Sequence, residues 1–296
     1  MTPQEYCQDK AGGSGSSFYY SFVFLDPARR AAITALYAFC REVDDVVDEC
    51  SDAGLARITL EWWRQEVHNT FHGNPSHPVC RALAPAIQSY HLQESQFMKI
   101  IDGMEMDLTH VRYTSFDELR LYCDHVASVV GLLSTAIFGY AEAKTLDFAQ
   151  NLGIAFQLTN IIRDVGEDAR RNRIYLPLED LQRFQVSASD ILQGRETGNF
   201  YALMAFETER ALEFYQKAQQ QLPDADRLRQ TPSLIMAAIY LALLQEIRAD
   251  GYHVLKHRIA LPPLRKLWIA WRTRFKEKWG QKKAPARARH VTNDHK

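Results

Sequence analysis

Apolar residues recur in this 296-residue chain with the 3.6-residue period of an α-helix in nearly every segment. The alternating pattern that indicates half-buried β-strands does not organise the sequence. The chain also has only 14 glycines and 11 prolines, too few for the many tight turns of an all-β sandwich. The pattern predicts one all-α domain over residues 1–270 and a basic, disordered C-terminal tail over residues 271–296.

Charge is concentrated at the C-terminal end. Residues 256–296 contain thirteen Lys and Arg against two acidic residues, whereas the preceding residues contain 22 basic and 34 acidic ones. Trp268, Trp271, Phe275 and Trp279 lie among these basic residues, a mixture typical of segments that contact an anionic membrane surface. The alternatives are an ordinary helix packed on the body as far as Trp271, with a solvated end, and nucleic-acid binding. No nucleic-acid-reading module accompanies the charge, so the sequence predicts no nucleic-acid partner.

Cysteine usage and hydropathy indicate the compartment. The five cysteines are odd in number and lack C-x-x-C spacing, which argues against a disulfide framework or a zinc site and fits a reducing environment. The N-terminal MTPQEYCQDK has no apolar signal region. The longest uncharged apolar stretches, residues 126–141 and 231–245, fall short of the roughly 20 residues that span a bilayer. We expect a cytoplasmic protein, with peripheral contact to the inner face of the cytoplasmic membrane as an added hypothesis.

A pair of aspartates four residues apart occurs twice in the chain. Asp44 and Asp48 form the first pair, and Asp164 and Asp168 repeat the spacing about 120 residues later. On a helix, such residues lie one turn apart on the same face, where their charges repel unless a cation or water compensates. A single pair is also common at solvated helix ends, but two pairs within apolar segments favour a cation site.

Each aspartate pair ends a polar stripe on a helix that is otherwise apolar. The members of the two stripes are Tyr37, Arg41, Asp44 and Asp48, and Gln157, Asn160, Asp164 and Asp168. A polar stripe on an apolar helix faces water or lines a cavity. Oxygen ligands without His or Cys suit Mg²⁺, which binds carboxylates together with phosphate oxygens. The stripes therefore predict a cradle for a Mg²⁺-bridged diphosphate, with Arg41 and Arg163 placed to contact phosphate oxygens.

The other acidic residues and the histidines give weaker indications of function than the two aspartate pairs. Asp102, Glu105 and Asp107 form a third acidic cluster with irregular spacing, for which we expect a supporting or structural role. His110 and His125 are expected on the helix surface or in packing contacts. The chain has no dinucleotide fingerprint and no P-loop.

At these residues the chain resembles the squalene/phytoene synthase family, an all-α, single-domain helical bundle of the class I isoprenoid synthase type with a central cavity. The matching segments span residues 14–270 and include GSSFYY from Gly15, ALYAFCREVDDVVD from Ala35, YCDHVASVVGLL from Tyr122, QLTNIIRDVGED from Gln157, RIYLP from Arg173 and GYHVL from Gly251. Within the family, LEWWR from Leu60, GMEMDL from Gly103 and VGLLS from Val130 look most like presqualene diphosphate synthases. Phytoene synthases share much of this sequence.

The resemblance implies a prenyltransferase that condenses two farnesyl diphosphates head to head (1'-1) to presqualene diphosphate, releasing diphosphate. That reaction is a step towards squalene and hopanoids. It implies two or three Mg²⁺ ions acting with the substrate diphosphate, no NADPH, and downstream pathway enzymes as partners. One alternative is a phytoene or dehydrosqualene synthase, which carries the cyclopropyl intermediate on to a C30 or C40 hydrocarbon. A non-enzymatic alternative is an acidic helical scaffold protein.

Carried over residue by residue, the resemblance implies three groups of site residues. The catalytic aspartates and the metal ligands would be Asp44, Asp48, Asn160, Asp164 and Asp168, flanked by Asp45. The residues that bind substrate diphosphate would be Ser17, Arg41, Gln157, Asn160, Arg163, Arg173 and Tyr175. The catalytic tyrosines would be Tyr37, Tyr122 and Tyr240, which line the pocket for the carbocation, and Tyr122 would guide proton removal with the departing diphosphate as base. The alternative for these three tyrosines is that they are core aromatics.

Overall fold

The computed structural model describes residues 1–12, 18–50 and 52–287. These residues form fourteen α-helices, with one π-helical segment between the seventh and eighth. The helices are α1 (Pro3–Gly12), α2 (Phe18–Phe22), α3 (Pro27–Glu49), α4 (Ala53–Phe71), α5 (Pro78–Tyr90), α6 (Glu94–Thr109), α7 (Phe116–Cys123), α8 (Val129–Phe138), α9 (Lys144–Arg170), α10 (Leu178–Arg183), α11 (Ala188–Leu192), α12 (Gly198–Gln221), α13 (Thr231–Ala249) and α14 (Pro263–Arg287); the π-helical segment is Asp124–Ser128. Within the described ranges the β-type pairing is a single parallel bridge between Arg112 and Ile174. The all-α prediction is confirmed.

The two longest helices of the predicted site are α3 and α9, of 23 and 27 residues. Helix α3 begins where the Asp26 side chain accepts a hydrogen bond from the backbone N–H of Arg29 and Pro27 fixes the first helical φ angle. In both helices the aspartate pair lies near the C-terminal end. A helix C-terminus carries partial negative charge and disfavours carboxylates, so helix stability does not account for these aspartates.

The core has two clusters of buried residues that meet along α8, α9 and the π-helical segment. The first gathers around α3–α6, where Phe39 contacts Trp63 and Phe97 edge to face. The second gathers around α9, α12 and α13. At the seam, a Cβ added to Gly153 of α9 would lie 2.7 Å from the backbone oxygen of Ala127, so only glycine allows this close approach.

The end of the chain differs from the prediction. Helix α14 runs through the expected boundary at residue 270 and continues to Arg287, whereas the sequence predicts a disordered tail from residue 271. The helix continues because one side of it packs on the body: Ile269, Ala270 and Glu277 are buried, and Glu277 pairs with Arg227 at 2.8 Å. Residues 288–296, the remainder of the predicted tail, lie outside the described residues.

Two stretches are long and apolar enough to cross a membrane by length and composition, Phe116–Phe138 and Thr231–Ala249. Their most apolar windows are 44% and 56% buried inside the molecule. The core helices of a soluble protein pass the same test, so these stretches are weak grounds for a membrane span, and both contribute to the packed core.

Candidate functional site

The two polar stripes face each other across one cavity of about 570 Å³. Every predicted site residue except Ser17 and the flanking Asp45 lines it: Tyr37, Arg41, Asp44, Asp48, Tyr122, Gln157, Asn160, Arg163, Asp164, Asp168, Arg173, Tyr175 and Tyr240. Ser17 lies outside the described residues. The sequence therefore predicted which side chains share a cavity, although they come from four helices and one loop.

A second cavity, of about 200 Å³, adjoins the first and is apolar. The two share six lining residues, Tyr37, Cys40, Val126, Gln157, Asn160 and Tyr240. The remaining wall of the second cavity is mainly aliphatic and aromatic, including Phe22, Val130, Phe138, Leu152, Phe156 and Met236. The site thus has a charged chamber that leads into an apolar interior.

On α3, arginines neutralise the aspartate pair. Arg41 donates to Asp44 at 2.7 Å and to Asp45 at 2.6 Å. Asp48 pairs with Arg171 at 2.8 Å and with Arg173 at 3.1 Å, both from the end of α9 and the loop after it. These contacts tie the α3 stripe to the opposite helix.

Asp45 also pairs with Lys10 of α1 at 2.8 Å and does not line the cavity. Its ion pairs with Lys10 and Arg41 hold α1 and Arg41 in place. The predicted flanking acid is thus a structural ion-pair residue in this arrangement.

On α9, the two aspartates differ in their partners. Asp164 accepts hydrogen bonds from Arg163 and, at 2.8 Å, from Arg258. Asp168 makes no ion pair with any residue in the described ranges. Glu167, the neighbour between them, contacts Arg258 at 3.3 Å.

Burial and mutual repulsion raise the pKa of two cavity carboxyls. Burial, followed by the charge of Asp48, raises the pKa of Asp44 to about 7. Burial, followed by the charge of Asp164, raises the pKa of Asp168 to about 7. Burial acts on Asp164 in the same direction, but hydrogen bonding and charge from Arg163 outweigh it and lower the pKa of Asp164. Each stripe therefore contains one carboxyl whose charge is poorly compensated.

The donor set of the cavity fits a hard divalent cation. The side chains that converge there from α3 and α9 offer carboxylate and amide oxygens, which Mg²⁺ prefers to nitrogen or sulfur. Asn160 provides a second observation, because its side-chain Oδ1 is buried and has no hydrogen-bond partner. A buried carbonyl oxygen of this kind requires a donor or a cation. The residues present therefore fit Mg²⁺.

Asp107 accepts hydrogen bonds from two tyrosines that line the cavity. Tyr122 donates its hydroxyl hydrogen to Asp107 Oδ2 at 2.9 Å, and Tyr175 donates to Oδ1 at 2.8 Å. Burial raises the pKa of both phenols well above the usual value, so both are neutral hydroxyls near neutral pH. The supporting role expected for Asp107 agrees with these contacts. Its position on the cavity-lining face of α6, after Ile100 and Met104 at helical spacing, is a signal that the sequence analysis did not use.

The other two acids of that cluster lie away from the cavity. Asp102 and Glu105 pair with Arg64 of α4, at 2.5 and 2.7 Å. They join α4 to α6.

Four charged cavity residues escaped the sequence analysis: Glu167, Arg171, Arg258 and Lys266. Glu167 and Arg171 adjoin the second aspartate pair in sequence, which is the signal that could have found them. Arg258 and Lys266 were counted with the basic C-terminal end as a whole, and only the fold shows that they reach the cavity. Arg258 precedes α14, and Lys266 is in its first turn.

The parallel bridge at Ile174 positions two cavity residues. Ile174 donates its N–H to Val111 at 3.2 Å and buries its side chain. In this extended segment, successive side chains point to opposite sides. Arg173 and Tyr175, on either side of Ile174, therefore both face the cavity.

The bundle, with two acidic helices facing one cavity, has the architecture of the isoprenoid synthase class. A dehydrosqualene synthase crystal structure superposes with a TM-score of 0.84 at 27% identity, covering 94% of this chain and 97% of that one. The squalene synthase HpnC from Alicyclobacillus acidocaldarius gives a TM-score of 0.75 at 27% identity, covering 84% of this chain and 94% of that one.

Sequence comparisons narrow the class to one family. The model for the squalene/phytoene synthase family matches residues 11–265. The 15-cis-phytoene synthase of Synechocystis sp. is 36% identical over 90% of this chain and 84% of its own length. The phytoene synthase of Arthrospira platensis is also 36% identical, over 89% of each chain. The chain belongs to the squalene/phytoene synthase family of prenyltransferase-type enzymes of isoprenoid biosynthesis, which confirms the family resemblance.

Proposed function

We propose that this protein joins two farnesyl diphosphates head to head to form presqualene diphosphate and releases one diphosphate. The observation that carries the proposal is the composite cavity, in which a chamber of aspartates and arginines opens into an apolar interior. A prenyl diphosphate has the matching division, with a charged head and a long hydrocarbon tail. Family membership supports the same reaction class.

In this proposal the metal ligands are Asp44, Asp48, Asn160, Asp164 and Asp168. These residues would hold Mg²⁺, which would supply positive charge against the departing diphosphate and so favour ionisation of the allylic C–O bond. The Asn160 carbonyl gains the partner that it lacks in the protein alone. Burial and a neighbouring carboxylate disfavour the negative charges of Asp44 and Asp168, and a bound cation would compensate them.

The arginines hold and orient the diphosphate. In the structure Arg41, Arg163 and Arg173 each donate to an aspartate. We expect them to exchange aspartate oxygens for phosphate oxygens when substrate binds, because a guanidinium forms strong, directional hydrogen bonds with either group. The arginines thereby preserve the charge balance of the chamber before and after binding.

Carbon–carbon bond formation follows ionisation. The allylic carbocation of the first substrate is attacked by the double bond of the second, and loss of a proton closes the cyclopropane ring. Tyr37 and Tyr240 lie where the two cavities join, and aromatic faces stabilise a cation there by about 0.5 to 2 kcal/mol each. The apolar wall excludes water that would otherwise capture the cation.

Tyr122 positions the reacting groups and does not act as the base. Its raised pKa and its hydrogen bond to Asp107 keep it a neutral donor. The released diphosphate then accepts the proton, as the sequence analysis suggested. Asp107 fixes the directions of both Tyr122 and Tyr175.

A phytoene synthase is the second candidate, favoured by the two relatives at 36% identity, both phytoene synthases. Such an enzyme takes geranylgeranyl diphosphate and converts the cyclopropyl intermediate to a C40 hydrocarbon. The same charged chamber serves both candidates, and they differ in the length of the prenyl chain and in the fate of the intermediate.

The test is product analysis after incubation of the purified full chain with Mg²⁺ and either farnesyl or geranylgeranyl diphosphate. A C30 cyclopropyl diphosphate, formed without NADPH and unchanged by adding it, supports the main proposal. A hydrocarbon product contradicts it: a C40 hydrocarbon supports the second candidate, and a C30 hydrocarbon supports a dehydrosqualene synthase. No condensation product from either substrate, with the protein folded, contradicts both and leaves the scaffold alternative.

Aspartate variants provide the matched control. Asp44→Asn removes a proposed metal ligand, whereas Asp45→Asn changes the adjacent carboxylate outside the cavity. We expect condensation to be lost in the first variant and largely retained in the second. Equal activities in the two variants would contradict the assignment of the α3 stripe to the metal.

A further inference from the structure

Helix α14 exposes a row of large apolar side chains. Leu264, Leu267, Trp268, Trp271, Phe275 and Trp279 are between 42% and 81% exposed. At about 100° per residue, all six fall within an arc of roughly 120° on one side of the helix. Isolated exposed apolar residues are ordinary, but a continuous row containing three tryptophans indicates an interaction surface.

The opposite side of the same helix already has a role in the fold. Ile269 and Ala270 are buried against the body, and Glu277 is buried in its pair with Arg227. The exposed row is therefore a second apolar face, additional to the one that packs the helix on the bundle. Helix packing within the chain does not explain it.

Basic side chains flank the exposed row on both sides. By helical position, Arg272 and Lys276 lie along one edge, and Lys278 lies near the other. Arg265 and Arg274 also lie at the edges, but Arg265 pairs with Glu246 at 2.7 Å and Arg274 donates to the backbone oxygen of Phe24 at 3.3 Å. Glu277 is the one acidic residue in the helix sequence, and it is buried away from this face. An apolar face with cationic edges complements a bilayer that contains anionic headgroups, since the rings enter the interface while the charges contact the headgroups.

The start of α14 also forms part of the cavity wall. Arg258, Leu261 and Lys266 line the charged chamber, and Lys266 belongs to the first turn of the helix that carries the exposed row. The surface and the chamber are consequently adjacent parts of one structure.

We propose that the exposed face of α14, the helix whose first turn lines the charged chamber, docks the protein on the surface of an anionic lipid bilayer. The purpose of docking rests on the proposed function: a prenyl diphosphate places its tail in lipid and its head at the interface, next to the charged chamber. A second copy of the chain fits this face less well, because a symmetric contact brings the cationic edges of two helices together. Salt screens the headgroup attraction but leaves the apolar contribution.

Sedimentation with vesicles tests the docking without any catalytic readout. The full chain should bind vesicles of about 30% phosphatidylglycerol in phosphatidylcholine, bind pure phosphatidylcholine far more weakly, and lose affinity in about 0.5 M NaCl. The double variant Trp268→Glu with Trp271→Glu should bind on the order of 100-fold more weakly. The control is Trp62→Glu, because Trp62 is 45% exposed on α4 beside the acidic Glu61.

Equal binding by the wild type and the double variant, or equal loss in the Trp62→Glu control, would overturn the proposal. A lipid-free dimer that the double variant disrupts, without vesicle binding by the wild type, would assign the face to a second copy instead. Synthase activity on detergent-solubilised substrate should be unchanged in the double variant, while activity on substrate carried in vesicles should fall. Because vesicle binding is measured without substrate, failure of the proposed reaction does not affect its result.

Discussion

The acidic stripes on α3 and α9 have the same spacing in sequence but are built differently. Side-chain packing fixes the α3 stripe in position, because Val43 and Val47, which directly precede Asp44 and Asp48, are buried. Backbone contact holds the α9 stripe, since Gly166 lies against the chain at Val254 and Leu255. The α3 aspartates are both paired with arginines, whereas on α9 Asp168 has no ion pair within the described residues.

This difference shows which features of the site follow from fold stability and which do not. A chain selected for stability alone gains nothing from an unpaired, half-buried carboxylate beside another at the C-terminal end of a helix. Asp44 and Asp48 on α3 both keep arginine partners in the protein alone, whereas Asp168 on α9 has none in the part of the chain that the structure describes. The asymmetry indicates that the α9 side depends more on a bound cation for its charge balance.

The first prediction asks whether the two stripes contribute equally to turnover. Asp44→Ala and Asp164→Ala should each reduce the condensation rate by at least about 1,000-fold, because each removes an oxygen ligand from one side of the diphosphate. Steady-state product formation measures the rate, and circular dichroism should show unchanged helicity. High activity in either variant would contradict the claim that both stripes are needed, because the reaction would then require only one of them.

Sequence reasoning reached the fold and most of the site because both depend on helical periodicity. The spacing of Asp44, Asp48, Asp164 and Asp168 on apolar helices was sufficient to place them on a common cavity. It could not assign Arg41 and Arg163 to aspartates in the unliganded protein, because ion-pair partners depend on side-chain directions across helices. It also missed Arg258, whose approach to Asp164 spans 94 residues of sequence.

The extent of α14 could not be predicted from the sequence, for a related reason. Composition showed that residues near Trp271 are basic and aromatic, but the burial of Ile269, Ala270 and Glu277 depends on helices far away in sequence. A helix with one buried apolar face and one exposed apolar face has no simple amphipathic pattern. The sequence alone therefore does not indicate that the helix extends to Arg287.

The second prediction concerns how the α9 stripe is held. A Cβ at Gly166 would lie 2.6 Å from the backbone oxygen of Val254 and 2.7 Å from that of Leu255, and backbone atoms cannot rotate away. Gly166→Ala should lower the free energy of unfolding by about 2 kcal/mol and reduce turnover, measured by urea denaturation and product formation. The control is Gly198→Ala, where a Cβ meets nothing within 4 Å. Similar stability losses in both variants would show that close approach is not the cause.

The third prediction compares the two aspartates of α9 in the absence of metal and substrate. Asp168→Asn should raise the free energy of unfolding by about 1 kcal/mol, because it removes a buried charge that repels Asp164. Asp164→Asn should lower it by about 1 to 2 kcal/mol, because Arg163, only 16% exposed in its side chain, loses its partner. Urea denaturation in a chelating buffer measures both. If both variants changed the free energy of unfolding in the same direction, the proposed difference between Asp164 and Asp168 would be contradicted.

The last prediction concerns two neighbouring carboxyls outside the cavity, which can be compared with those of the two stripes. Glu207 of α12 and Asp180 of α10 both contact Arg210 at 2.8 Å, and burial raises the pKa of Glu207 to about 7. Because the pKa of Glu207 is higher in the folded state than the usual 4.5, its stabilising contribution is complete below pH 4.5 and is lost as the pH rises through 7.

Glu207→Gln should therefore gain stability relative to the wild type between pH 5 and pH 8, by on the order of 1 kcal/mol, as measured by urea denaturation across that range. Glu213→Gln is the matched control, because Glu213 is exposed on the same helix and should leave the pH dependence unchanged. An identical pH dependence in wild type and Glu207→Gln would show that Arg210 compensates both carboxylates. Charge crowding would then be confined to the carboxyls of the cavity.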